Sequence, residues 1–414
     1  MLNLVVPRLL CLSLAIMTTA VAAESSSLAA HSAALGGAGK IGTAEATTDS
    51  DAEAASRLVR EAVSVARQLR KSDNIYDQVA AAGTLVDVGD KESLQFLADT
   101  LSHGDWSIMR SAIDMLLNVQ HPAGIDLIYR AAQQNPEGVF VKFLSESLAT
   151  RPREDMAEFL MNALNADDSW VKKHALQALA TLPFNDKEKR IRSIAEDEKQ
   201  DSMTRAYAYY VLMDTAARQQ SLDKLLDLAV NGSPDAQEAA AVGLGLVKNA
   251  KTQAALRTLE NSDNARAQLA AYASEAGFGA DAAISKIVDK IVHGDGMESS
   301  VAAASVRRMP GPIATQISEL VTTCCKLDTE AAARLLESWA TIDADPTKML
   351  DWGLHNADAS VRMQAVWLVG ERQDRKHLKV IGPMLKDSDS GIRAMASWAI
   401  VRILGDEYDP GVEI

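Results

Sequence analysis

A word of about 32 residues recurs along this chain, and that period limits its fold more than any other feature. Its clearest copy is Asp358-Ala359-Ser360-Val361-Arg362, followed by Ala365, Val366 and Val369. With Val361 as anchor, the equivalent positions are Ile75, Ile108, Val139, Val171, Thr204, Ala236, Ala265, Met297, Ala331 and Ile392. Four residues past each anchor the side chain is always apolar, from Val79 and Ala112 to Ala365 and Ala396. Eight past it, Leu116, Leu179, Leu212, Leu244, Val369 and Ile400 continue the stripe. Spacings of 4 and 8 mark one face of a helix. Upstream lie Asp105, Asp168, Asp201, Asn264, Asp358 and Asp389, residues that cap free N–H groups where a helix starts.

Between these helices the pattern predicts a second amphipathic helix per repeat, as at 93–101, 156–164, 222–230, 282–292 and 377–385. Residues 51–70 would supply the first of that outer set. A single helix pair cannot bury its apolar face, so neighbours must stack. The expected fold is all-α, a solenoid of about eleven helix-turn-helix repeats. It would run over 51–414 as one continuous domain with a polar, acidic end.

The front of the chain differs. Residues 1–23 carry one charge, Arg8, then a short apolar run and the small residues Ala20-Val21-Ala22-Ala23. That is the pattern of a cleavable secretory signal. The apolar run is short for a membrane span of about 20 residues, although an uncleaved anchor is the alternative. Residues 24–50, rich in Ala, Ser, Gly and Thr, read as a flexible leader. A periplasmic or secreted protein follows, with no membrane association after cleavage. The formal charge of −14 and the lack of a Lys/Arg run exclude nucleic acid as a partner, because phosphate needs a basic face.

The words Asp168-Ser169-Trp170-Val171-Lys172, Asp358-Ala359-Ser360-Val361-Arg362 and Asp389-Ser390-Gly391-Ile392-Arg393 resemble the second helix of HEAT repeats. The short, Ala-rich form is similar to the phycobilisome-lyase type. The resemblance covers residues 51–405 and implies architecture more than activity. It also implies a ladder in which Lys172, Arg205, Arg266, Arg362 and Arg393 pair with Asp168, Asp201, Asp263, Asp358 and Asp389.

Motifs that carry chemistry are sparse. None of the seven histidines forms a close metal pair, and none precedes Glu, unlike the His-Glu dipeptides that hold iron in the HEAT-like hydroxylases. Cys324 and Cys325 are adjacent on a helix expected at 313–327. They read as buried or half-buried free thiols, with a strained vicinal disulfide or a bond to a partner as alternatives. Gly243-Leu244-Gly245 reads as close helix packing rather than a nucleotide loop. No cofactor or metal is expected, and the chain is not read as an enzyme. A bilin-lyase-like or hydroxylase-like enzyme or maturation factor is one alternative function. A membrane-tethered assembly scaffold is another.

Residues three, six and ten past the anchor turn away from the 0, 4, 8 stripe, toward the side that lines the concave face of a HEAT-like stack. Two clusters stand out there: Lys142, His174, Tyr207 and Tyr210, and Arg334, Trp367, Met395, Trp398 and Arg402. Trp, Tyr and Arg dominate binding hot spots. The expected function is therefore a scaffold that docks a partner protein on these residues.

Overall fold

The computed structural model describes residues 49–405 apart from 136–137, 184–186 and 325. The expected signal, the leader up to residue 48, Cys325 and the acidic end 406–414 lie outside the described residues. The rest forms 22 α-helices, and no strand is present among the described residues. They divide into two compact units. The first holds α1 (Asp49–Leu69), α2 (Ile75–Asp87), α3 (Lys91–Thr100), α4 (Trp106–Asn118) and α5 (Pro122–Gln134). It also takes α19 (Thr347–Leu354), α20 (Ala359–Glu371), α21 (Leu378–Ile381) and α22 (Ser390–Leu404). The second begins with α6 (Val139–Thr150), α7 (Ala157–Ala163), α8 (Ser169–Leu179), α9 (Glu188–Glu196) and α10 (Ser202–Leu212). It continues with α11 (Arg218–Asn231), α12 (Pro234–Leu244), α13 (Ala250–Leu259) and α14 (Ala265–Gly277). It ends with α15 (Asp281–His293), α16 (Gly296–Ser305), α17 (Gly311–Cys324) and α18 (Thr329–Ser338).

The even-numbered helices are the repeated word. Every anchor falls within the first three residues of one of them. Every residue four past an anchor is buried. Local chemistry starts these helices: Asp105, Asp168, Asp201, Asp358 and Asp389 each accept a backbone N–H of the first turn. Asn74, Ser233, Asn264, Asp295 and Asp328 do the same. Such caps contribute about 1 kcal/mol each. Helix α6 is the exception, entered through Gly138 at φ +92°.

Two expectations need correction. Arg205, Arg362 and Arg393, expected to pair with aspartates, donate to main-chain oxygen, and Lys172 donates to the Gln200 side chain at 2.9 Å. Arg362 Nη1 donates to the carbonyls of Asn356 and Ala357, both at 2.9 Å, and Arg393 repeats this on Asp387 and Ser388. Arg205 donates to the carbonyl of Ala195. These carbonyls end the preceding outer element, where backbone oxygens lack helical partners. The outer helix expected at 377–385 is also broken. Pro383 and Gly382 interrupt it, leaving only α21 between two 3₁₀ turns.

In the first unit the packing order departs from chain order. Helix α22 lies against α20 on one side and against α1 and α2 on the other. The last repeat of the chain is thus followed in the stack by the first. Gly370 makes the α20–α22 contact possible, because a Cβ there would stand 2.5 Å from the Trp398 ring and 2.9 Å from Ala399 Cα. In the second unit the even helices α6 to α18 stack in chain order. Gly243 admits Leu225 in the same way, at 2.6 Å from an ideal Cβ, in line with the close packing expected of it.

Candidate functional site

The aromatic residues expected on an open inner face are buried. Trp367 and Trp398 are 5% and 1% exposed, and Tyr207, Tyr210 and His174 are also buried. Lys142, Met395, Arg334 and Arg402 are half-buried. The reading of Trp367, Trp398, Tyr207, Tyr210 and His174 as a free docking surface is therefore corrected, and the reason differs between the units.

In the first unit Trp398 has neighbours on both sides, because α22 is flanked by α20 and by α1 and α2. Arg402 acts as a clasp there. Its Nη1 donates to the Asn118 carbonyl at 3.0 Å, its Nη2 pairs with Glu371 at 3.2 Å, and its guanidinium sits 5.3 Å from the Trp398 ring. The Asp87 carboxylate near it accepts the N–H groups of Gln120 and His121 at 2.7 and 2.9 Å. Burial pushes the Asp87 carboxyl up, opposed by those hydrogen bonds.

In the second unit the inner face curves until repeats two and three apart meet. Lys173 on α8 reaches Glu238 on α12 at 3.3 Å, in front of the intervening α10. Arg266 on α14 stands 5.8 Å from the Trp170 ring on α8. Lys173 also lies over the rings of Trp170 and Tyr207. Burial pushes the Lys173 ammonium down, and Glu238 partly restores it. Burial raises the Tyr207 and Tyr210 phenols. The Tyr207 hydroxyl is buried with Gln177 and Glu238 as its polar neighbours.

A 3₁₀ turn after α16, Val306–Arg308, feeds two arginines into this interior. Arg307 approaches Glu337 at 3.9 Å, and Arg334 holds the same carboxylate at 2.7 Å. Burial opposes the Glu337 charge, but Arg334, Arg307 and Arg151 outweigh it and hold the carboxyl at about 2. Arg334, read as part of a C-terminal aromatic patch, thus belongs to the second unit and serves this network. Arg308 has Tyr210, Glu238 and Tyr207 as electrostatic neighbours.

Lys173, Glu238, Arg307, Arg308 and Glu337 went unnoticed in the sequence. A signal existed: Lys173 and Glu238 both stand two past their anchors, with opposite charges in the same register. Cys324, expected buried or half-buried, is an exposed free thiol.

One large aromatic does stand in solvent. Trp106, the first residue of α4, is 60% exposed. The turn that carries it is locked. Asp105 N–H donates to His103 Nδ1, and Asp105 accepts both the Ser107 N–H at 2.8 Å and its hydroxyl at 2.6 Å. Ser107 Oγ then accepts from the Tyr76 hydroxyl of the neighbouring repeat at 2.6 Å. Hydrogen bonds from Ser107 hold the Asp105 carboxyl below its ordinary value, so the lock is set at neutral pH.

No helix among the described residues is long and apolar enough to cross a membrane. No family model matches the chain, and no curated protein matches it. Among solved structures, an engineered protein aligns over 83% of this chain and 98% of its own, at 17% identity and a TM-score of 0.27. A likeness that loose adds nothing to the fold described above.

Proposed function

We propose that this chain is an extracytoplasmic docking scaffold of HEAT-like repeats, and that its partner protein is gripped at the turn before α4. The exposure of Trp106 carries this reading. Tryptophan is the residue most enriched at binding hot spots, because it buries a large area and keeps a polar handle. Here it projects from a turn fixed by hydrogen bonds to two repeats. A preorganised anchor loses little entropy when a partner covers it. The inner aromatics cannot compete for that role, since they already fill the interior of their own units. Action outside the cytoplasm rests on residues 1–23 alone.

The test is quantitative capture of envelope proteins by the mature chain and by Trp106→Ala, with melting as a control. A specific partner should lose affinity by about tenfold or more in the variant, the hot-spot scale, at unchanged melting temperature. Equal capture by both proteins would remove Trp106 from the interface.

A further inference from the structure

We propose that the first unit binds a free, linear alkyl carboxylic acid in the trough between its outer helices α3 and α5. These helices pack side by side, and a cavity of about 460 Å³ lies along them. Small-molecule sites run from about 300 to 1,000 Å³. The floor is apolar, made by Val86, Leu94, Ala98, Ala123 and Leu127. Val86 is buried and the other four are half-buried, so a ligand laid on them would cover surface that now meets water. Beside Gly89, at one end, nothing stands within 4 Å of where a Cβ would project, so that space is clear.

The shape selects a single chain. Lys91, Leu94, Gln95 and Ala98 form one stripe of α3, and Ala123, Leu127 and Arg130 form one stripe of α5. Each stripe covers two turns, about 10 Å. Spread over that length, the cavity is a channel only about 7 Å wide, too narrow for a partner helix of about 10–12 Å with its side chains.

The rim selects the sign of the charge. Lys91 and Arg130 line the cavity, are exposed, and pair with no carboxylate among the described residues. Arg130 uses its Nε on the Asp126 carbonyl at 3.2 Å, which leaves the terminal nitrogens for a ligand. The Nδ1 of His121 accepts the Ala123 N–H at 3.2 Å, so its proton sits on Nε2 as a third donor. The lining carboxylate, Asp90, already caps α3 by accepting the Ser93 N–H at 2.8 Å. Two cations and an imidazole N–H above an apolar floor match a carboxylate on an alkyl chain. Trp106 is not among the lining residues, so this site stands apart from the docking turn.

Calorimetric titration of the full chain with hexanoate, octanoate and decanoate, each below its micelle concentration, tests the proposal. Saturable binding is expected, tightening by about two- to fourfold per added methylene, the scale of burying apolar surface. Octylammonium, with the same chain and the opposite charge, should not bind. The double variant Lys91→Gln with Arg130→Gln changes only exposed side chains and should weaken octanoate by about threefold or more. Ala98→Phe fills the trough and should abolish binding, with circular dichroism as control. Trp106→Ala should bind octanoate as wild type does. Absence of saturable binding for all three acids overturns the site, as does equal binding of octylammonium. Wild-type affinity in the double charge variant also overturns it, and that result decides the matter if Ala98→Phe misfolds. Loss of octanoate binding in Trp106→Ala would move the acid to the docking turn and overturn this location.

Discussion

The two units use the same repeated helix pair and close their inner faces by opposite means. The first fills its interior with tryptophan, packs the last repeat on the first, and ties the last repeat to the second through Arg402, a single side chain reaching one carbonyl and one carboxylate. The second fills its interior with charge: Lys173 against Glu238, and arginines around Glu337. An apolar interior tolerates crowding, because close contact is what stabilises it. A charged interior is stable only when each group has a partner.

The sharpest way to break this contrast is to remove one half of the Lys173–Glu238 pair. Glu238→Ala leaves an ammonium in a site already hostile to it. The expected loss is about 3–5 kcal/mol by urea unfolding, the scale for orphaning a buried charge, with loss of the Lys173 proton limiting it. Replacing both partners, by Lys173→Met with Glu238→Leu, should stay within about 1 kcal/mol of wild type. A single variant as stable as the double would show that water reaches the pair, and the second unit would lose its distinction.

The next effect is a pH dependence. Glu337 is depressed from an ordinary 4.5 to about 2, so its contribution is present in full above pH 4.5 and is lost as pH falls toward 2. The shift corresponds to roughly 3 kcal/mol, and the side chain is only 14% exposed. Other carboxylates titrate in the same window, so the useful quantity is wild type minus Glu337→Gln. That difference should be largest near neutrality and shrink toward zero near pH 2. A constant difference across the window would mean that the arginines do not act on Glu337 electrostatically.

The repeats were legible in the sequence because their signals are local. Anchors such as Val171 and Ile392 recur at a fixed period, and caps such as Asp168 act within three residues of the helix they start. What those helices meet was not legible. The contact of Arg402 with Asn118 spans 284 residues and leaves no periodic trace. Positions three and six past an anchor were read as free because they oppose the core stripe. Tyr207 and Tyr210 hold those positions, yet the curvature that brings α8 to α12 buries them. The arginine ladder differs for a related reason: a guanidinium donates to a backbone carbonyl as well as to a carboxylate, and sequence spacing does not say which is nearer. Trp106 escaped notice because it precedes its anchor, Ile108, by two and lies outside the inner positions considered.

The smallest expected effect sharpens the contrast most cleanly, because it holds the chemistry fixed. Lys386 and Glu61 form a lysine–carboxylate pair in the first unit at 2.9 Å, shorter than the 3.3 Å of Lys173 and Glu238. Distance alone would make it the stronger of the two. Exposure reverses the order: the Lys386 and Glu61 side chains are 79% and 39% exposed, against 0% and 3% for the buried pair. Water screens the exposed charges, and ordering two long side chains costs entropy, so such pairs contribute about 0–1 kcal/mol. Glu61→Gln should therefore shift stability by less than about 0.5 kcal/mol, and the shift should vanish in molar salt, where the screening length falls to about 3 Å. A loss comparable to that of Glu238→Ala would mean that the meeting of the first and last repeats depends on this ion pair. The Trp398 packing and the Arg402 clasp would then be secondary, and the two units would be held by the same force after all.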